Sequence, residues 1–140
     1  MCQVAPPAAA ESFRKGFLPA VFAYRVAESF NIKEGALGYL KLTAPAELVR
    51  HRPNSPDAWE DQVIKAKFQS PGWKKGEFVE EDAQLHGKSA YRVLIPEYYE
   101  ASCLACHGEP KGSPDITGGK REGGHLGDLG GAISGAIYLR

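Results

Sequence analysis

A single short segment, Cys103-Leu-Ala-Cys-His107, constrains this chain more than any other feature of its sequence. One helical turn brings two thiols with this spacing to the separation of the two vinyl groups on one edge of a porphyrin. The histidine that follows then lies beneath the iron, where its imidazole can act as a ligand. Cys-x-x-Cys-His is the attachment signature of haem c. It predicts one covalent haem c, bound through Cys103 and Cys106, with His107 as an axial ligand.

Two other uses of these cysteines remain open. A zinc site would need two further ligands, and the remaining candidates are scattered along the chain: Cys2, His51, His86 and His125. A redox dithiol of the thioredoxin type is expected to open a helix early in the chain. Here the cysteines come late, after Tyr98-Tyr99-Glu100, so haem is the favoured interpretation.

The composition is that of an ordinary globular domain of 140 residues, 43% hydrophobic and 24% charged, with a net charge of zero. This balance gives no indication of a nucleic-acid partner. No apolar stretch is long enough to span a bilayer, and no signal peptide is visible. Haem c is normally attached outside the cytoplasm, so we expect a periplasmic protein. Its signal or membrane anchor would then lie in flanking segments absent from this chain.

The hydrophobic pattern predicts one α+β domain over residues 1–140, with a small antiparallel sheet flanked by helices. The predicted helices run from about Val4 to Lys15 and from Ser55-Pro56-Asp57 to Ser70-Pro71-Gly72. The segment from Lys33 to Leu42 ends in an alternating apolar run that predicts a strand. Further strands are predicted over about Gly76 to Glu81, Lys88 to Ile95 after a turn at His86-Gly87, and Ala132 to Leu139. In the last strand, Ile133, Ile137 and Leu139 are expected to face the core. A glycine-rich stretch from Gly108 to Gly135 is expected to be mostly loop.

We do not expect methionine as the second axial ligand, because the only methionine is Met1, at the terminus of the chain. His51, His86 and His125 are alternatives, although each is also typical of a solvated surface or loop histidine. Cys2 is a further candidate, because a thiolate can bind haem iron and lowers its potential. Arg92 is a candidate partner for the haem propionates, with Arg50 and Arg52 as alternatives. The pocket candidates are Tyr91, Phe78, Trp59 and Ile137.

Four separated blocks resemble a family of bacterial exported, haem-c-binding, PAS-like domains. They are Cys2-Gln-Val-Ala-Pro6, Asn54-Ser-Pro-Asp-Ala-Trp-Glu60, Tyr98 to Gly108, and Asp115 to Gly119 with Gly127 to Ser134. The resemblance implies a PAS-like fold with the haem held against the sheet. It also implies Cys2 as the second axial ligand, and use alone or as a sensory module of a larger protein.

We therefore expect a redox or small-gas sensor of the periplasm. It would either bind a diatomic gas as a ligand or exchange electrons with a redox partner. A thiolate that leaves on reduction would open a site for NO or CO. The alternative is a low-potential c-type electron carrier. An enzyme is not expected, because no spacing demands an acid–base pair at an open site. A homodimer is compatible with the sequence, and membrane contact is expected only through flanking segments.

Overall fold

The computed structural model describes residues 18–140. Cys2 and the helix predicted from about Val4 to Lys15 lie outside the described residues. The helices are α1 (Pro19–Glu34), α2 (Ala58–Val63), which continues as a π-helical turn (Ile64–Phe68), and α3 (Leu104–His107). The strands are β1 (Gly38–Thr43), β2 (Val79–Leu85), β3 (Lys88–Tyr98) and β4 (Leu129–Tyr138).

The four strands form one sheet in the order β1-β4-β3-β2. β1 pairs antiparallel with β4, and β2 pairs antiparallel with β3. At the start of β3, the N–H of Leu139 donates to the carbonyl of Ser89 over 2.9 Å. The predicted α+β class with a small antiparallel sheet is confirmed, and the architecture is consistent with a PAS-like fold.

The hairpin between β2 and β3 confirms the predicted turn at His86-Gly87. Leu85 pairs with Lys88, so the loop has two residues. Both of these have positive φ, 50° at His86 and 74° at Gly87, as the turns that match the twist of a hairpin require. The strands differ from their predicted bounds, since β2 begins at Val79 and β3 extends to Tyr98.

β4 buries the opposite face from the predicted one. Ala132 and Ser134 are 3% and 2% exposed, whereas Ile137 is 65% exposed. The predicted inward orientation of Ile133, Ile137 and Leu139 is therefore wrong. Ala132 packs in the core cluster with residues of α2, its π-helical turn and β3. A small side chain in the middle of a sheet lets a helix approach closely.

The predicted start of one helix also changes. α2 is capped by Asp57 rather than by Ser55, because the Asp57 carboxylate accepts the N–H of Glu60 and Glu60 accepts the N–H of Asp57. This is a reciprocal capping box. α1 was not predicted, and it includes Lys33. β1 (Gly38–Thr43) lies at the end of the segment from Lys33 to Leu42, where the strand was predicted. Within residues 18–140, no helix is both long and apolar enough to cross a bilayer.

The chain divides into two compact units. The sheet unit comprises Tyr24–Glu97 and Leu129–Arg140, and the loop unit contains Tyr98–Asp128 together with residues 18–23 of the described chain. The core of the sheet unit is formed by Val63, Ile64, Phe68, Leu94 and Ala132. The expectation of a single domain stays a prediction.

Candidate functional site

The loop unit holds the Cys-x-x-Cys-His segment in a long connection between β3 and β4. This connection is closed at its base by two backbone hydrogen bonds. The N–H of Tyr99 donates to the carbonyl of Asp128, and the N–H of Gly127 donates to the carbonyl of Tyr99, both over 2.8 Å. The two ends of the connection are therefore held together.

Further along, the glycine-rich arm runs antiparallel to the arm that contains the histidine. Gly124 donates to the carbonyl of His107 over 2.7 Å, and Gly123 donates to the carbonyl of Gly108 over 3.2 Å. Beyond them, Gly112 donates to the carbonyl of Arg121 over 2.8 Å. The glycine-rich stretch from Gly108, which was predicted to be mostly loop, is thus held by hydrogen bonds in a hairpin-like arrangement up to Asp128. From Leu129 it belongs to β4.

The Cys-x-x-Cys-His segment forms the predicted single helical turn. A 3-10 turn (Ala101–Cys103) leads into α3, which ends at His107. Cys103 is buried, Cys106 is half-buried, and the N–H of Glu100 donates to the Cys103 sulfur over 3.3 Å. The turn ends at Gly108, a position that needs glycine because a Cβ there would lie 2.6 Å from the Leu104 carbonyl oxygen.

The His107 imidazole is held on its face and at one nitrogen. Its Nδ1 lies 2.9 Å from Oε2 of Glu122. The Tyr99 ring stacks on it, with the ring centroids 5.2 Å apart and the planes inclined by 16°. Within the part of the chain that the structure describes, Nε2 of His107 makes no hydrogen bond. The free nitrogen is the one a metal ion would bind while the other is hydrogen-bonded.

Gly124 makes this arrangement possible by having no side chain. A Cβ at Gly124 would lie 2.5 Å from Cε2 of Tyr99 and 3.1 Å from the His107 carbonyl oxygen. Tyr99 is only 6% exposed, so its ring has little room to move away. The glycine therefore lets Tyr99 lie against both the backbone and the imidazole.

The other histidines make different contacts. His125, in the loop unit, is 70% exposed and lies 3.6 Å from Glu109 and 3.4 Å from Asp128. In the sheet unit, Nδ1 of His86 lies 2.8 Å from the Tyr138 hydroxyl oxygen. His51 is exposed, and its ring packs edge-on against Tyr24. Their roles as axial ligands stay predictions.

Arg92 lies in the sheet unit, and its guanidinium is bound by the chain's own carboxylates. The side chain is 2% exposed, with Nη2 2.6 Å from Asp57 Oδ2 and 3.3 Å from Glu60 Oε1. The guanidinium carbon also lies 4.2 Å from the centre of the Trp59 ring. A propionate would have to compete with both carboxylates, and the propionate role stays a prediction.

This network also shifts the pKa of Asp57. Burial on its own raises that pKa, but the hydrogen bonds from Arg92 and from the N–H of Glu60 outweigh it, helped by the charges of Arg92 and Lys41. The net effect is a pKa below the ordinary value of 3.8. Glu60 is 1% exposed, and besides Arg92 it has a second ion-pair partner, Lys41, whose Nζ lies 2.6 Å away.

The remaining candidates all belong to the sheet unit. Arg50 and Arg52 are exposed. Of the pocket candidates, Trp59 packs against the core cluster, whereas Tyr91, Phe78 and Ile137 are 37%, 51% and 65% exposed. Their contribution to a haem pocket stays a prediction.

Residues 18–140 contain no group of three or more His, Cys, Asp or Glu side chains placed to hold a metal ion. This observation gives no support to the zinc alternative within that part of the chain. The donors do fit a haem c, because the cysteines and His107 share one turn and the imidazole offers its Nε2.

The sequence predicted no role for Glu122, Tyr99 or Gly124. No short-range pattern identifies these three residues, because each acts across the loop. The only hint was the pair of glycines, which indicates a close approach of backbone to another group.

The fold and the site define a class: small α+β domains that carry a Cys-x-x-Cys-His turn in a pinned connection before the last strand of a four-stranded sheet. Residues 3–137 match the Tll0287-like family model. The chain belongs to the Tll0287-like family.

Among solved structures, the chain is similar to the crystal structure of the cyanobacterial haem-protein Tll0287, with a TM-score of 0.67 and 18% sequence identity. The match covers 90% of this chain and 74% of that chain. At this identity the likeness shows the fold alone. No curated protein matches the sequence.

Proposed function

We propose that this chain binds one haem c covalently through Cys103 and Cys106, with His107 as an axial ligand. The observation that carries the proposal is the turn in which both cysteines and His107 lie together. In that turn the imidazole is hydrogen-bonded at Nδ1, while Nε2 makes no hydrogen bond to any of residues 18–140. Its membership of the Tll0287-like family, which includes a haem-protein, supports the same cofactor. When bound, a haem supplies an iron that changes oxidation state and can accept a diatomic ligand.

The chain's own residues supply attachment and orientation. Cys103 and Cys106 provide the two thiols, and the hydrogen bonds at Gly108, Gly123 and Gly124 hold the turn in place. Tyr99 covers one face of the imidazole and limits its rotation. Since such attachment takes place outside the cytoplasm, we propose an exported, periplasmic protein.

Attachment is tested by expressing the chain with a signal peptide in cells that mature c-type cytochromes. The wild-type protein is expected to keep one haem per chain through acid–acetone extraction, whereas C103S/C106S is expected to keep none. Cys2→Ser is the control, since it leaves both attaching thiols in place. A wild-type protein without covalent haem, beside a known cytochrome c matured in the same cells, would overturn the proposal. Zinc bound instead would favour the zinc alternative.

We further propose that Cys2 is the second axial ligand and that the domain is a redox or small-gas sensor rather than an enzyme. The support is the sequence resemblance and the absence of a methionine other than Met1. A thiolate ligand lowers the reduction potential, and its loss on reduction would expose a coordination position.

The ligand is tested by EPR and absorption spectra of the oxidised protein. The wild type is expected to show a low-spin thiolate signature that disappears in Cys2→Ser, with covalent haem retained in both. Adding CO to the reduced wild type is expected to change its bands. Unchanged bands under CO, together with fast electron exchange with a redox partner, would contradict the sensor proposal and favour an electron carrier.

A further inference from the structure

The carboxylate of Glu122 is the partner of the candidate axial histidine. Its Oε2 lies 2.9 Å from Nδ1 of His107, and the two side chains are only 17% and 26% exposed. A contact this short and this shielded differs from a surface ion pair, in which water competes for both groups.

The backbone holds the two side chains opposite each other. Glu122 directly precedes Gly123 and Gly124, whose N–H groups bind the carbonyls of Gly108 and His107. The two arms are therefore fixed on both sides of the contact. Tyr99 stacks on the imidazole and restricts its rotation, so Nδ1 stays directed at the carboxylate.

The hydrogen bond determines which imidazole nitrogen carries the proton. An ionised carboxylate only accepts hydrogen bonds, so Nδ1 of His107 must be the donor. The lone pair then lies on Nε2, the nitrogen on the other side of the ring. A carboxylate in this position also makes the imidazole a stronger electron donor, more than a neutral acceptor would.

We propose that Glu122 is a positioning residue for the axial histidine. Its carboxylate presents Nε2 of His107 to the iron, and its negative charge lowers the reduction potential. This inference rests on the proposed haem attachment. A more electron-rich imidazole stabilises the ferric state relative to the ferrous state. The sensor would therefore have its working potential set by this carboxylate as well as by its axial ligands.

The test compares Glu122→Gln with the wild type and with Glu109→Gln. Glutamine keeps the size and an acceptor oxygen but removes the charge. Glu109 is the matched control, because it lies in the same loop unit, is 58% exposed, and approaches His125 rather than His107. Haem content is measured first, by pyridine haemochrome, and the midpoint potential is then measured by spectroelectrochemistry.

Loss of such a partner typically costs about tenfold or more in metal affinity, and this loss falls mainly on the ferric iron, which gains more from an electron-rich imidazole than the ferrous iron does. A tenfold loss of preference for the ferric state corresponds to an upward shift of about 59 mV in a one-electron couple. We expect that shift in Glu122→Gln and none in Glu109→Gln. Equal potentials in all three proteins, or equal shifts in both variants, would overturn the inference while leaving haem attachment intact. A wild type without haem would instead overturn the proposed function.

If Glu122→Gln fails to fold or to retain haem, the role of Glu122 is tested by NMR of the wild-type protein. The Nδ1–H proton of His107 is expected to be visible and slow to exchange with solvent in proton–nitrogen NMR spectra of the haem-loaded protein. A ring whose Nδ1 carries no protected proton would contradict the role of Glu122.

Discussion

Replacing Arg92 by methionine is expected to lower the free energy of unfolding by about 3–5 kcal/mol, because removing one member of a buried ion pair leaves its partner uncompensated. The Arg92 side chain is 2% exposed and contacts Asp57 and Glu60. It also donates to the Gln84 carbonyl over 3.1 Å. Lys41 remains on Glu60 in the variant, which places the expected loss near the lower end of this range.

The loss is measured by urea unfolding followed by far-ultraviolet circular dichroism. Lys65→Met is the matched control, because it also removes a cation from a 2.6 Å carboxylate pair, but one whose side chains are 64% and 32% exposed. Exposed pairs contribute about 1 kcal/mol or less. Similar losses in the two variants would show that the buried network does not stabilise the sheet unit as proposed.

The same network gives the protein a defined response to acid. Folding lowers the pKa of Asp57, so the ionised carboxylate contributes stability above its ordinary value of 3.8. That contribution is lost as the pH falls through the lower pKa of the folded state. In Arg92→Met the Asp57 carboxylate lacks its hydrogen bond from Arg92. The share of the stability lost in acid that is due to Asp57 is therefore expected to be smaller.

Replacing Gly124 by alanine is expected to open the loop unit. The new Cβ would lie 2.5 Å from Cε2 of the buried Tyr99 ring and 3.1 Å from the His107 carbonyl oxygen. Forcing a methyl group into a closely packed site costs about 1–3 kcal/mol. The backbone would have to shift, which lengthens the hydrogen bond from residue 124 to His107 and weakens the stacking of Tyr99 on the imidazole.

The measurement is native-state hydrogen exchange of the amides at Tyr99 and Gly127, which close the base of the loop. A loss of about 1–3 kcal/mol corresponds to exchange about 5- to 150-fold faster, because 1.4 kcal/mol is a factor of ten. Gly72→Ala is the control, since its added Cβ would meet no atom within 4 Å. Unchanged exchange rates in Gly124→Ala would show that the Tyr99 ring can yield at little cost.

The parts of the fold that were predicted correctly are those with local causes. The β2–β3 hairpin follows from two alternating runs and a turn whose residues tolerate positive φ. β4 was correctly recognised as a strand, but its buried face was wrong. Alternation separates two faces without saying which one meets the core, and the packing of α2 over Ala132 selected the face with small side chains. α1 was missed because its apolar residues do not form a marked stripe along one side. In the structure, Ala27 is the only buried residue of this helix.

The candidate site divides in the same way. The turn of Cys103, Cys106 and His107 was determined by the sequence alone, since five consecutive positions place the three side chains on one helical turn. The sequence did not determine what the imidazole contacts. Glu122 lies 15 residues further along the chain, and it reaches Nδ1 only because the glycine-rich arm folds back and Gly124 leaves room for Tyr99. Helical turns arise from contacts between near neighbours, whereas the closure of a long loop depends on every contact along its length. The attachment turn could therefore be read from the sequence, and the partner of His107 was decided by the tertiary structure.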